Sequence, residues 1–462
     1  MEKFRLKRLW LLAPGVLALV LTWIAQANPG LTDEGFSQGV YPGLSSAWGF
    51  LPSLVPWSVA QWVVVVFLLF VAGFVVYYLV GLIKGSALGM RREARSNAER
   101  TMANENSTRD GGSKAAACDG GGQVGTRSDA AATAGPVRRR LLILWHALAT
   151  ALAVVSVGYC IFALMCGLNY YRYTFAQDAG FELRESSVDE LAALCENLAA
   201  QTNEQRAQVA AAMNDETVSP ADSTDSNSTS NGSVNSENVP ASFGETAEAA
   251  DAYAVAHGGF EGYARGAVTN MEALADQYPA LSRPLYSPPK PVLFSEVLSY
   301  LDIAGMYFPF TVESNINVDG PFFTIPATMG HELAHQCGFM REDEANFIGY
   351  LNCKQSDDPL TRYSGYSLAY DYAISALVRA DRDRAVAIND TLSEAVRADR
   401  RARSEFLKKY EGPVAEASNA ANNAYLKANQ QQDGTRSYGR MVDLLLAEAR
   451  EETPGSSAET DA

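Results

Sequence analysis

Two of the four histidines in this 462-residue chain fall in His331-Glu332-Leu333-Ala334-His335. With histidine this rare, an H-E-x-x-H match is expected only about 0.002 times by chance. Residues four apart on a helix return to nearly the same face, so both imidazoles can converge on one metal ion. Glu332 stands one step around the helix, within reach of a water at the ion without ligating it. That arrangement suits zinc-assisted hydrolysis, in which Zn²⁺ lowers the pKa of water towards about 7 and the carboxylate takes the proton. A catalytic zinc has three protein ligands and an open position, whereas a structural site is closed by a fourth Cys or His. Cys337 is the nearest thiol but lies on another face of the helix, and no C-x-x-C spacing occurs. His331 and His335 are therefore expected as metal ligands and Glu332 as the general base.

The third ligand must come from a neighbouring element. Thr324 and Pro326 mark the start of the metal helix and Gly338 its end. The stretch 341–351, apolar at Phe347, Ile348 and Leu351, predicts a second helix packed back on the first. Glu342 and Glu344 share its first turn but point about 200° apart, so only one can face the ion. Spacing leaves both open. Thr311–Val318 precedes the metal helix, and Val312, Ile316 and Val318 suit an extended strand. As an edge strand above the ion it would hold substrate by backbone pairing, with Asn315 and Asn317 positioning the peptide; an ordinary structural strand is the alternative. Among Tyr363, Tyr366 and Tyr370 beyond the second helix, Tyr363 and Tyr366 are candidate oxyanion donors, with aromatic core packing as the competing reading of each.

These residues need a scaffold, and hydropathy supplies its first part. Three uncharged runs, about 9–26, 57–83 and 141–168, are long enough to span a bilayer, which takes about 20 apolar residues. Lys3, Arg5, Lys7 and Arg8 precede the first, the loop 27–56 has no Lys or Arg, and 84–140 holds eleven Lys/Arg against six acids. Positive residues stay inside, so the N-terminus and the 84–140 loop are expected in the cytoplasm and the chain beyond about 171 outside. Ala25-Gln26-Ala27 also fits a signal-peptide cleavage site; cleavage there would leave the topology unchanged.

Residues 1–168 carry 15 Lys/Arg against 9 Asp/Glu, a net of +6, within a chain of net charge −16, so the remainder stands at −22. An outer domain that acidic argues against a nucleic-acid partner. Glu93–Pro136 reads as a flexible loop and the Ser/Asn-rich stretch 215–240 as a disordered insertion. Three cysteines lie outside, Cys195, Cys337 and Cys353, which excludes a disulfide-stapled scaffold and leaves a Cys195–Cys353 pair open. Ala380–Lys409, mixing acids with Arg, predicts a solvated helix with intrahelical pairs, and 451–462 a disordered tail.

The stretch Pro309–Asn317, the H-E-L-A-H-Q-x-G-F and E-D-E-A-N-F-I-G-Y-L blocks, Arg362–Tyr366 and Ser437–Arg440 together resemble an uncharacterised bacterial family of three-pass membrane proteins assigned to the zinc metallopeptidases. The likeness covers the three spans and most of 290–446, departing at 84–140 and 215–240. Glu-Ala-Asn-Phe also resembles the short-spacer metallopeptidases that cleave phage repressors, which implies Glu344 as the third ligand, with Glu342 second. The resemblance implies a zincin-like, gluzincin-type outer domain.

The expected fold is mainly α, with α+β as the alternative. It comprises a membrane domain over 1–171, a largely helical extracytoplasmic domain over 172–450 with a short substrate-edge strand, and the tail. The expected function is that of a multi-pass plasma-membrane zinc metallopeptidase hydrolysing peptides or proteins outside the cytoplasm. A non-catalytic, metal-stabilised membrane sensor or a cell-wall peptide amidase are the alternatives.

Overall fold

The computed structural model describes residues 10–109, 127–218, 246–428 and 440–452, mainly α-helical with one small sheet. The chain divides into two compact units, one of Trp62–Cys160 with the chain up to Leu17, the other of Ala18–Gln61 with Ile161 onwards. A 3-10 turn at Trp10–Leu12 leads into α1 (Ala13–Ala27). A π-helix (Leu31–Val40) and α2 (Tyr41–Ser53) follow, then α3 (Val59–Arg109) and α4 (Arg127–Met165). Three stretches, Trp10–Ala27, Val59–Ile83 and Ile143–Met165, are long and apolar enough to cross a membrane.

The helices overrun the expected spans. Helical backbone continues through 84–109 and resumes at 127, so the expected 84–140 loop is helical at both ends; its centre, 110–126, lies outside the described residues. Ala87, Leu88, Met90, Arg91, Arg92 and Glu93 are good helix formers, and a helix already nucleated by a span extends at one hydrogen bond per residue.

The second unit holds α5 (Phe175–Ala179), α6 (Val188–Val218), α7 (Glu248–Ala256) and α8 (Gly259–Gln277), then β1 (Lys290–Pro291), α9 (Ser295–Tyr300), β2 (Gly305–Phe308) and β3 (Glu313–Ile316). Next come α10 (Ile325–Gln336), α11 (Glu342–Lys354), α12 (Pro359–Ala380), α13 (Arg382–Asn389), α14 (Glu394–Tyr410), α15 (Pro413–Ala428) and α16 (Arg440–Glu452). Of the expected insertion, 215–218 is the helical end of α6 and 219–240 lies outside the described residues; of the expected tail, α16 includes Glu451 and Glu452 and the rest lies outside.

In the core α6 packs along α12 and α10 along α11. Arg206 of α6, fully buried, pairs with Asp399 of α14 at 2.7 Å, and Tyr363 of α12 donates to the same carboxylate at 2.7 Å. The single helix expected over 380–409 is two, because Asp381 and Ser393 cap α13 and α14 separately. Arg400 and Arg403 reach across to Asp371 of α12 instead of pairing within their own helix. Cys195 and Cys353 are free buried thiols.

The 27–56 connection also belongs to this unit. Asp33 and Arg172, each 1% exposed in the side chain, pair at 3.0 Å, and Arg172 also binds Asp178 and the Cys337 carbonyl. Buried Glu313 of β3 accepts from the Val59 and Ala60 N–H groups, capping the start of α3, and is neutralised by Lys290.

Candidate metal centre

Helix α10 begins where expected, but Thr324 turns its hydroxyl to the Pro321 carbonyl. The free N–H of Ala327 is met instead by Ser364 Oγ of α12 at 3.0 Å. Gly330 lies against Gly349 of α11: a Cβ on Gly330 would sit 3.0 Å from Gly349 Cα, and one on Gly349 2.9 Å from His331 N. Two glycines at the crossing let the helix backbones touch, which brings the first turns of α11 to the histidines. Gln336, the residue after His335, ties α10 to the sheet through Ser314 Oγ, which itself donates to the Glu332 carbonyl.

The residue that arrives is Glu342. Its Oε2 lies 3.2 Å from His331 Nε2 and its Oε1 3.9 Å from His335 Nε2, and the three donor atoms fall within 4.8 Å of one another. Glu344, expected from the resemblance, points away: its Oε1 accepts from the Phe175 N–H and from Arg341. The chain is extended at Arg341, so α11 starts at Glu342 with that side chain towards α10, and two residues on the helix has turned Glu344 to α5.

Both imidazoles are oriented from behind. His331 Nδ1 donates to Asn346 Oδ1 at 3.0 Å, and the Asn346 amide is held by its own donation to the Tyr372 hydroxyl at 3.2 Å. His335 Nδ1 donates to the Phe339 carbonyl at 2.7 Å. With both Nδ1 atoms engaged, both Nε2 atoms face the cluster, the arrangement that metal-ligating histidines take from their outer partners. Phe339 is itself fixed, stacked under the Arg172 guanidinium at 3.9 Å and against Phe175 at 5.3 Å.

Burial and charge set the protonation of this group. Burial opposes charge on His331, but the Glu342 hydrogen bond and carboxylate outweigh it and push the pKa up to about 9. His335 is pushed down to about 4, by burial and then by the charge of His331. Burial also drives Glu332 up to about 8. Glu332 is 3% exposed and its Oε2 is buried with no hydrogen-bond partner. Next to it, a Cβ on Gly305 of β2 would stand 2.5 Å from Glu332 Oε1 and 2.7 Å from Thr328 Cγ2, so any larger residue there would displace the Glu332 carboxylate.

The strand beside the cluster is not the expected one. The sheet order is β1-β3-β2, with β1 parallel and β2 antiparallel to β3, so Glu313–Ile316 is the central strand and Gly305–Phe308 the edge. Thr311–Val318 is not one strand because Val312, at φ 56°, forms the turn between β2 and β3, a conformation rare for a β-branched residue and held here by burial. Asn315 spends its amide on the Met306 and Glu313 carbonyls and accepts from Ser58; Asn317 bonds Ser299, Ile303 and the Asp319 N–H. Both serve the sheet and its turns.

A groove of ≈ 1190 Å³ runs along β2 and is walled by His331, Glu332, His335 and Glu342. Tyr363 and Tyr366 do not line it: Tyr363 bonds Asp399, and Tyr366 packs on Tyr350 at 5.8 Å. The wall from α12 is Ser364, Ser367, Leu368, Asp371 and Tyr372, one helical stripe, while 363, 366 and 370 lie on the stripe facing the core. Tyr372, missed in the sequence, is the α12 tyrosine that lines the groove; its spacing from Ser364 and Leu368 was the available signal.

Residues 133–446 match the profile of a family described as "Protein of unknown function (DUF3810)", and the chain belongs to that family. No curated protein and no solved structure matches it.

Proposed function

We propose that this DUF3810 protein is a membrane-anchored, zinc-dependent peptidase working on the extracytoplasmic side. The observation that carries the reading is the convergence of two Nε2 atoms and a carboxylate within 4.8 Å, each imidazole fixed through its Nδ1, beside a buried carboxylate with an unpaired oxygen. Two imidazoles and a carboxylate are a donor set suited to zinc with a position left open. His331, His335 and Glu342 would hold the ion. When bound, Zn²⁺ supplies Lewis acidity that makes water nucleophilic near neutral pH and polarises a carbonyl.

The chain's own groups do the rest. Glu332 takes the proton of the attacking water and later gives it to the leaving amine; a carboxyl raised towards neutrality by burial suits both roles. β2 is an edge strand that runs along the groove, where an extended peptide can be added to the sheet. Gly305 leaves room for Glu332 to stand against that strand. The outward orientation rests on the eleven Lys/Arg of 84–140 against none in 27–56.

The test is zinc analysis and turnover of a fluorogenic peptide library by the full chain in detergent, with and without chelator, beside Glu332→Gln. Wild type should turn over peptides in a chelator-sensitive way, and the variant should keep its zinc and lose hydrolysis. A fully active variant, or a zinc-loaded wild type that cuts nothing, ends the proposal.

A further inference from the structure

The groove does not stop at the metal cluster. Its wall also contains Phe162, Cys166 and Tyr170, and Phe162 lies inside the third apolar stretch, Ile143–Met165. The connection is direct. Tyr307, on the β2 edge, donates its hydroxyl to the backbone carbonyl of Met165 at 3.0 Å, and its ring centre lies 6.3 Å from that of His335. One tyrosine side chain thus bridges the metal helix and the last residue of that stretch. Its 23 residues extend about 35 Å as a helix, against a hydrocarbon core of about 30 Å, so a spanning helix of this length ends at the lipid interface.

The same unit also exposes apolar side chains. Trp48, Phe50, Leu51, Leu54 and Trp57 are exposed on the segment leading into α3, with Leu51 at 73% and Leu54 at 63%. Trp48 Nε1 donates to the carbonyl of exposed Phe310 in the β2–β3 turn, and exposed Leu293 is bonded through its N–H to Gln61 at the start of α3. The segment 27–56 carries no Lys or Arg. Aromatic and aliphatic side chains adjoining the ends of membrane helices are the composition of an interfacial belt, and a patch of this kind facing water would favour association.

We infer that the substrate is a polypeptide anchored in the same bilayer and cut within a few residues of the membrane surface. This rests on the peptidase reading above. The substrate chain leaves the lipid beside Phe162, adds to the β2 edge past Tyr307 and presents its peptide bond at Glu332. Water then adds its hydroxyl to the acyl carbon as the C–N bond breaks, and its remaining proton goes to the amine. A site held this low is out of reach for peptide bonds in the body of a folded extracytoplasmic domain and open to the stalk that joins such a domain to its anchor.

The test uses the full chain in lipid vesicles with reporters bearing one cleavable sequence, selected from the soluble library. In one reporter the bond lies about five residues from an apolar anchor, a reach of at most about 17 Å. In the second it lies behind a flexible spacer of about forty residues. The short reporter should be cut at least as fast as the long one. In vesicles holding the Glu332→Gln protein, energy transfer should report tighter association of the short reporter. Resistance of the short reporter while the long one is cut puts the site far from the bilayer and overturns the inference alone. If the soluble peptide is cut but neither reporter is, the inference falls alone; if no soluble peptide is cut in the library, the peptidase reading falls and takes this inference with it.

Discussion

Asn346 offers the sharpest perturbation of the proposed centre, because it touches no part of the reaction. Its Oδ1 accepts from His331 Nδ1 at 3.0 Å, and its amide is fixed on the Tyr372 hydroxyl at 3.2 Å. Asn346→Ala removes the acceptor, frees the imidazole to rotate or change tautomer, and leaves Nε2 aimed at the ion for only part of the time. Loss of such an outer partner costs about 10–100-fold in metal affinity, or about 1.4–2.7 kcal/mol. Asn346→Asp keeps an acceptor and should stay near wild-type affinity, while Tyr372→Phe, which only loosens Asn346, should cost less than Asn346→Ala. His335 is the internal control, since its Nδ1 is held by the backbone carbonyl of Phe339, which no side-chain change removes. Zinc affinity is read by competition with a chromophoric chelator, and unfolding of the metal-free protein is followed separately. If Asn346→Ala binds zinc as wild type does, or if Asn346→Asp is equally impaired, the argument that Nδ1 anchoring builds this site is wrong.

Glu342→Gln should weaken zinc binding sharply, whereas Glu344→Gln should bind zinc normally and lose about 1–3 kcal/mol of stability, because it leaves the Phe175 N–H and Arg341 with a weaker acceptor; metal titration and denaturant unfolding separate the two. Gly305→Ala places a methyl 2.5 Å from Glu332 Oε1. Moving that carboxylate by about 1 Å should lower kcat/KM on the order of 10²-fold with zinc retained, and unchanged kinetics would refute the close approach. Arg206→Met strands Asp399 in the core and should destabilise the fold by about 3–5 kcal/mol, seen as a lower thermal midpoint.

How far the sequence could be read depended on how local the signal was. The helical repeat sets His331, Glu332 and His335 on neighbouring positions of one helix, and the rarity of histidine made them visible; the three apolar stretches are equally local. The choice between Glu342 and Glu344 was not local, since it turns on where α11 begins and on the Gly330–Gly349 crossing. A family resemblance could not replace that geometry. The edge strand was misplaced for a similar reason: Val312 looks like a strand residue, but its left-handed backbone ends the strand and makes the turn. Gly305-Met-Tyr-Phe has too short a pattern to stand out, and its importance lies in partners distant in the chain. Asp33 gave no sign that it would reach Arg172 and steady the turn carrying Phe339.

Zinc X-ray absorption on the purified full chain reads the ligand shell itself. Two imidazole nitrogens and oxygens are expected at about 2.0–2.2 Å, with no sulfur near 2.3 Å. One imidazole should be lost in His331→Ala, and the shell should be unaltered in Glu344→Gln. A sulfur-containing or closed four-residue shell would contradict the proposed centre, as would a spectrum indifferent to His331.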